Sequence, residues 1–474
     1  MLEPKVWQLT AGSVAVGLVL AAGAVTLAGP WDSGQRKAER RWAAAQDRTG
    51  GADHGPPAAH GPARRPAPAP APSAPAVLAA LGGAAPAAAR LPAGLAERLG
   101  KKLGPLLDDP ALGKVRTAEV IDVATGRRLY GKGPDTPMVP ASTVKIATMA
   151  AALSALGPEH RIPTTVVAGR DARKLTLVGG GDATLDTRRL GALADDTARA
   201  LGDRGIAAVE IGYDVSLYSG PREHPIGPND NIAPVVALMA DEGRLDDSTS
   251  GPAPRSGDPA GDAADVFAGL LRDLGVRITA TTGPHRAPKD AKPLARTYSA
   301  PLSALVERTL TESDNDIAES LARQTALAED EPASFAGAGR AVAEEIEELE
   351  LPLGHARFTD GSGLSREDRV GASLLTALLA RAADPDHPEL RPVLTGLPVA
   401  GFSGTLRGRY GDDVPARGLV RAKTGTLTGV NTLAGTVVDA GGRLLAFAFL
   451  AGATPAPDPA QTALDRLSAA LGHR

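Results

Sequence analysis

Apolar and polar positions divide the chain into stretches of different kinds. Residues 9–29 (LTAGSVAVGLVLAAGAVTLAG) carry no charged side chain, and a run of that length reaches across the hydrocarbon layer of a bilayer. It predicts a signal peptide or an uncleaved membrane anchor over 1–30. Behind it, 56–75 (PPAAHGPARRPAPAPAPSAP) has almost no large apolar side chain and cannot build a core. That composition predicts an extended, semi-rigid Pro/Ala-rich linker over 31–90.

From about Leu91 the pattern becomes that of a folded region. Val115–Asp122 reads as a strand, 124–126 (Ala-Thr-Gly) as a turn, and 128–130 as the returning strand. Ser142 opens a strongly apolar helical run, VKIATMAAALSAL, closed by Gly157 and Pro158. The middle, 161–292, reads as short β-like runs such as Lys174–Val178 between Gly-, Pro- and Asp-rich turns. Helical periodicity returns over 301–327 and 335–349. Then 419–423, 429–438 and 444–450 read as consecutive strands, with a tight turn at 439–442, before a last helix over 460–471. Strands at both ends of the folded region predict one antiparallel sheet flanked by helices, an α/β (α+β) fold. Residues 91–160 and 296–474 would form it, around an inserted β-rich domain at 161–295.

Composition removes several classes of function. The chain has 474 residues, and 51 basic against 55 acidic side chains give a net charge of 51 − 55 = −4, without the basic excess a nucleic-acid surface needs. Aromatic residues are 3%, too few for a base-stacking platform. Cysteine is absent, which excludes disulfides, a thiol nucleophile and cysteine-held metals. The eight histidines are scattered with no H-E-x-x-H or paired spacing, so no metal site is expected. Gly126 to Gly133 (GRRLYGKG) nearly spells a phosphate loop, but Gly133 stands where a Ser or Thr would hold magnesium. Gly179-Gly180-Gly181 lacks a dinucleotide fingerprint around it and reads as a turn with Asp182. No cofactor is expected. Glu344, Glu345, Glu347, Glu348 and Glu350 read as a solvated acidic helix face.

What remains is acid–base chemistry around serine. Three short motifs stand in order: Ser142-Thr143-Val144-Lys145, Ser313-Asp314-Asn315 and Lys423-Thr424-Gly425. Each alone reads better as a helix cap, a solvated lysine or an edge-strand charge. Together they supply what acyl transfer needs. A serine hydroxyl is a weak nucleophile until a base takes its proton. Ser142 and Lys145, three apart at a helix start, share a face, and a lysine deprotonated by burial or by a second cation is such a base. Lys423 on a facing strand would be that cation. Ser313 could pass a proton to a leaving amine while Asn315 orients the substrate amide. Thr424 and Thr426, alternating on a strand, would point one way and could bind a substrate carboxylate.

The order S-x-x-K, S-x-N, K-T-G resembles that of the serine penicillin-recognising enzymes. Further stretches resemble one branch, the D-alanyl-D-alanine carboxypeptidases/endopeptidases of the penicillin-binding protein 4 type. They are Pro140 through Lys145, Gly179-Gly180-Gly181-Asp182, Asp360-Gly361-Ser362-Gly363-Leu364-Ser365, Gly404-Thr405-Leu406 and Ala422 through Gly429. The resemblance covers about 91–471 and implies a transpeptidase/β-lactamase-like fold. It implies an acyl-serine DD-peptidase acting on peptidoglycan stem peptides and acylated by β-lactam antibiotics. In that frame Ser142 is the nucleophile, Lys145 the base, and Ser313, Asn315 and Lys423 complete the proton relay and substrate contacts. Thr424, Gly425 and Thr426 bind substrate, and the backbone N–H groups of Ser142 and Thr426 form the oxyanion hole. The separation 313 − 145 = 168 is short for that family, which implies an accessory subdomain trimmed or missing. Such a substrate is extracytoplasmic, although Arg36, Lys37, Arg40 and Arg41 behind the apolar segment run against the usual charge bias. The rival readings are a β-lactamase or esterase on the same fold and a catalytically silent wall scaffold.

Overall fold

A computed structural model describes residues 92, 94–170, 172–411 and 416–472. The apolar segment at 9–29 and the Pro/Ala tract lie outside the described residues, among which no helix is long and apolar enough to cross a membrane. In chain order the elements are α1 (Leu95–Leu107), β1 (Val115–Asp122), β2 (Arg128–Lys132), α2 (Lys145–Leu156), β3 (Pro163–Ala168), β4 (Lys174–Val178), α3 (Thr187–Gly202) and β5 (Ala208–Asp214). There follow α4 (Pro259–Asp273), β6 (Arg277–Pro284), β7 (Lys292–Tyr298), α5 (Leu302–Glu312), α6 (Asn315–Ala328), α7 (Phe335–Glu348) and α8 (Ala372–Ala383). The short α9 (Arg391–Thr395), the strands β8 (Val420–Leu427), β9 (Val430–Val438) and β10 (Leu444–Gly452), and α10 (Pro457–Gly472) complete the order.

The first sheet runs β2-β1-β10-β9-β8, antiparallel throughout, with β1 paired to β10 from Val115↔Gly452 to Asp122↔Leu445. The strands from the two ends of the folded region therefore meet as the sequence pattern predicts. Nearly every residue of β9 and β10 is buried because both sheet faces are covered. Ala446, Ala448 and Leu450 face one core, built with Ile146 and Met149 of α2, Leu321 of α6 and Leu375 of α8. Leu445, Phe447, Phe449 and Ala451 face the other, built with Leu99 and Leu103 of α1 and Leu464 and Leu467 of α10. The two-residue period of the strand thus feeds both layers.

The second sheet runs β6-β5-β4-β3-β7, with β4–β5 and β5–β6 parallel and the pairs involving β3 antiparallel. Its apolar side chains, among them Val166, Leu177 and Ile211, pack on Leu190 and Leu193 of α3 and Phe267 and Leu271 of α4. These two helices go beyond the short β-like runs and turns read from the sequence of the middle segment. Asp186 and Asp258 start α3 and α4 as side-chain caps on Arg189 N and Gly261 N.

The acidic stretch on α7 is only partly a solvated face. Glu345 is 2% exposed, because it lies on the same helical stripe as Ala341, Val342 and Ile346, whereas Glu344, Glu347 and Glu348 face water. Burial pushes the Glu345 carboxyl up to about 7.

Candidate active site

A single turn of 3₁₀ helix, Ala141–Val144, carries Ser142 and runs directly into α2. In a 3₁₀ turn residues i and i+3 eclipse, so the three-residue spacing stacks Lys145 behind Ser142. The Lys145 Nζ lies 3.1 Å from the Ser142 Oγ. Every residue from Lys145 to Leu153 is buried, since α2 is the central helix of its layer. The lysine inherits that burial, which lowers its pKa to about 8 against the opposing charges of Asp360, Asp314, Glu319 and Asp316.

Ser313 and Asn315 flank the joint between two helices. Ser313 ends α5 in the left-handed region (φ 62°, ψ 35°), Asp314 caps α6 by accepting from Ile317 N, and Asn315 is the first residue of α6. The Asn315 side chain accepts from Lys145 Nζ at 2.7 Å and donates to the Asn231 carbonyl at 2.9 Å. On β8, Lys423 Nζ donates to Ser313 Oγ at 2.8 Å and to the Thr424 carbonyl at 2.9 Å. Gly425 permits the approach of β8 to the serine turn: a Cβ there would sit 2.1 Å from Thr432 Oγ1 and 2.8 Å from the Pro140 carbonyl oxygen. Ser142, Ser313, Asn315, Thr424 and Thr426 line one cleft of about 380 Å³, with both lysines buried beneath it.

Burial comes first for both lysines, and Lys423 is held well below its ordinary value by burial and by the neighbouring Lys145 charge. Lys145 is surrounded by carboxylates that Lys423 lacks, and these keep it from falling as far.

Several residues at the site were quoted in the sequence as stretches of the resemblance but given no chemical role there. Thr405 Oγ1 accepts from Thr424 Oγ1 at 2.9 Å. The turn at 360–363, which the family resemblance placed near the cleft, delivers the Ser362 carbonyl to Lys145 Nζ at 2.6 Å. Its Gly363 has φ 81°, and a Cβ there would lie 2.1 Å from the Ala141 carbonyl oxygen, so glycine lets this turn press on the serine turn. Asp360 is pushed up by burial, yet bonds from His224 and Asp368 outweigh this and hold it at about 2. The glycine run at 179–181 supports the site from behind, with the Gly180 carbonyl accepting from Gln324 Nε2 of α6 at 2.9 Å.

Two buried groups have the side-chain types of a metal site: His224, Glu319 and Asp360, and Glu242, Asp314 and Asp316. Most of these side chains are paired with protein donors. Glu319 accepts from Arg323, Asp360 from His224, Glu242 from Arg244 and Arg308, and Asp316 from Arg255 and Ala233 N.

A model of the D-Ala-D-Ala carboxypeptidase 3 (S13) family matches residues 99–256 and 246–471. The chain is 38% identical over 385 residues to a carboxypeptidase of Mycobacterium tuberculosis, a match covering 77% of this chain and 81% of that protein. It is 30% identical over 483 residues to the D-alanyl-D-alanine carboxypeptidase of Actinomadura sp., covering 83% and 88%. The crystal structure of penicillin binding protein 4 (DacB) from Haemophilus influenzae is similar with a TM-score of 0.66 at 23% identity, over 79% of this chain and 97% of that one. At that identity the likeness is one of fold.

Proposed function

Because the chain belongs to the D-Ala-D-Ala carboxypeptidase 3 (S13) family, we propose that it is a serine DD-peptidase hydrolysing the D-Ala-D-Ala end of peptidoglycan stem peptides, with Ser142 as nucleophile and Lys145 as its base. The wiring of Lys145 carries this assignment. A neutral amine has two N–H donors and one lone pair. With the donors on Asn315 Oδ1 and the Ser362 carbonyl oxygen, the lone pair is left for the Ser142 hydroxyl at 3.1 Å. A pKa of about 8 leaves roughly one molecule in ten with a neutral amine at pH 7, against about one in three thousand for an ordinary lysine.

The steps follow. Ser142 Oγ attacks the carbonyl carbon of the penultimate D-alanine and gives its proton to Lys145. Backbone N–H groups of Ser142 and Thr426 would hold the oxyanion. The C–N bond then breaks, and Ser313, held by Lys423, relays a proton to the leaving amine. Water attacks the ester, releases the shortened peptide acid and restores the Ser142 hydroxyl. Thr424 and Thr426 would receive the terminal carboxylate, with Gly425 keeping the strand close. Cleavage of a cross-link is the same chemistry with a larger leaving amine. A β-lactam follows the first half of the path and stays on Ser142.

Peptidoglycan lies outside the cytoplasmic membrane, so the cleft works there, and 1–30 would serve as export signal or anchor. In this reading 91–160 and 296–474 form the catalytic part and 161–295 an insertion. The separate core of the second sheet supports that division.

Labelling with a fluorescent penicillin tests the assignment. Wild-type protein should take a stable label and Ser142→Ala none. Label lost within seconds would instead mark a β-lactamase, and a folded wild type that takes no label would mark a silent scaffold.

A further inference from the structure

Among the described residues His224 is the most deeply buried histidine, and its side chain is 0% exposed. It lies in the loop after β5, far in sequence from the three motifs. Its Nδ1 accepts from the Ile226 backbone N–H at 3.2 Å, so the ring proton sits on Nε2, which donates to Asp360 Oδ2 at 2.8 Å. Phe335 of α7 holds the ring edge-on, with centroids 5.3 Å apart.

Asp360 distributes this contact into the turn that faces Lys145. Its carboxylate also accepts from Gly363 N at 2.7 Å, Ser365 N at 2.8 Å and Ser362 Oγ at 3.1 Å. Glu319 Oε1 holds the same turn from α6, accepting from Gly361 N at 3.0 Å and Ser362 N at 2.9 Å. Thr148 Oγ1 donates to the Gly361 carbonyl at 2.8 Å. Among these polar groups the Ser362 carbonyl is the one that meets Lys145. A buried donor–carboxylate pair of this kind fixes a backbone carbonyl to within tenths of an ångström, and the direction of the Lys145 lone pair depends on that carbonyl.

We propose that His224 is a positioning residue for the general base: by donating to Asp360 it fixes the turn whose Ser362 carbonyl sets the direction of the Lys145 amine toward Ser142. The proposal rests on the acyl-serine reading above. It makes the loop after β5 part of the catalytic apparatus, through a contact 136 positions apart in sequence. Neither His224 nor Asp360 lines the cleft, so the effect falls on the rate of bond formation and leaves ligand binding alone.

The test is the kinetics of acylation by a fluorescent penicillin over a range of concentrations, which separates the limiting rate from half-saturation. In His224→Leu the donor is gone, and the limiting rate should fall about 30-fold while half-saturation stays within about twofold, as expected of a misaimed base. His224→Gln returns an N–H donor at the Nε2 position and should recover to within about threefold of wild type. His224→Asn reaches only the Nδ1 position and should stay slow. Thermal melting of each variant checks folding, and if His224→Leu does not fold, the Gln–Asn contrast decides. Equal limiting rates in the folded Gln and Asn variants, or a wild-type rate in folded His224→Leu, would overturn the positioning role. Failure of the wild type to label, or labelling of Ser142→Ala, would instead overturn the acyl-serine reading on which the role depends.

Discussion

The two sheets among the described residues have five strands each, yet they are built to different plans. The first is the middle of three layers, and its β10 sends alternate side chains into a core on each face. The second sends its apolar side chains to one core, and its outer strands β6 and β7 are largely exposed. The difference bears on chemistry. A lysine loses its proton near neutral pH only when desolvated, and desolvation on this scale requires cover from all sides. Lys145 and Lys423, both 0% exposed, lie in the region where the first sheet meets α2 and α6. The second sheet contributes a loop that reaches the site from outside.

The contrast is broken most severely by removing a lysine. Lys145→Met keeps the packing of α2 but leaves Ser142 without a base, and acylation by penicillin should fall by about 10⁴-fold, read from labelling rates. Loss of less than tenfold would mean that another group takes the serine proton. Next in size is loss of cover on the far face of the first sheet. Phe447 is 0% exposed and stacks on Phe449 at 5.2 Å, so Phe447→Ala should cost about 3–5 kcal/mol in denaturant unfolding. A cost below about 1 kcal/mol would show that the far layer does not hold the sheet.

A smaller effect follows from the Lys145 pKa of about 8. The base acts when neutral, so its active fraction rises with pH and levels off above about 8. Below that value the acylation rate should drop about tenfold for each pH unit, measured in buffers of constant ionic strength. A rate flat from pH 6 to pH 9 would mean that Lys145 does not titrate in this window.

The same contrast explains what could be read from the sequence. β1 and β4 have the ends that their patterns predict, and the last three strands were legible, because runs of Val, Leu, Thr and Phe between turn residues are strong signals. The helix α1 was not, since Gly100, Gly104 and Pro105 interrupt it; burial of Leu99, Leu103 and Leu107 at four-residue spacing holds it nonetheless. In α4 the buried stripe is largely alanine (Ala260, Ala263, Ala264, Ala268), which contrasts little with its polar face. The motif residues could be found because their reactive groups are also their sequence signature, and the structure brings them around one cleft. The shell that aims them could not. His224 meets Asp360 across 136 positions through a loop with no periodicity, and no local pattern marks such a contact.

The finest form of the contrast is one substitution made in each sheet. Thr→Val keeps side-chain volume and β-propensity nearly constant and removes only a hydroxyl. Thr432, on β9, is 1% exposed and donates through Oγ1 to the Pro140 carbonyl at 2.7 Å, the residue from which the serine turn starts. Thr432→Val should cost about 1 kcal/mol. It should also slow acylation severalfold, because that carbonyl then keeps only its bonds from Thr143 Oγ1 and the Thr143 backbone N–H, and the Ser142 turn loosens. Thr281 on β6 faces water opposite Ile211, so Thr281→Val should change stability by less than about 0.5 kcal/mol and leave acylation untouched. Equal effects at the two positions would mean that the layering of the first sheet confers no special rigidity on the serine turn, and that the bond from Thr432 is incidental to it.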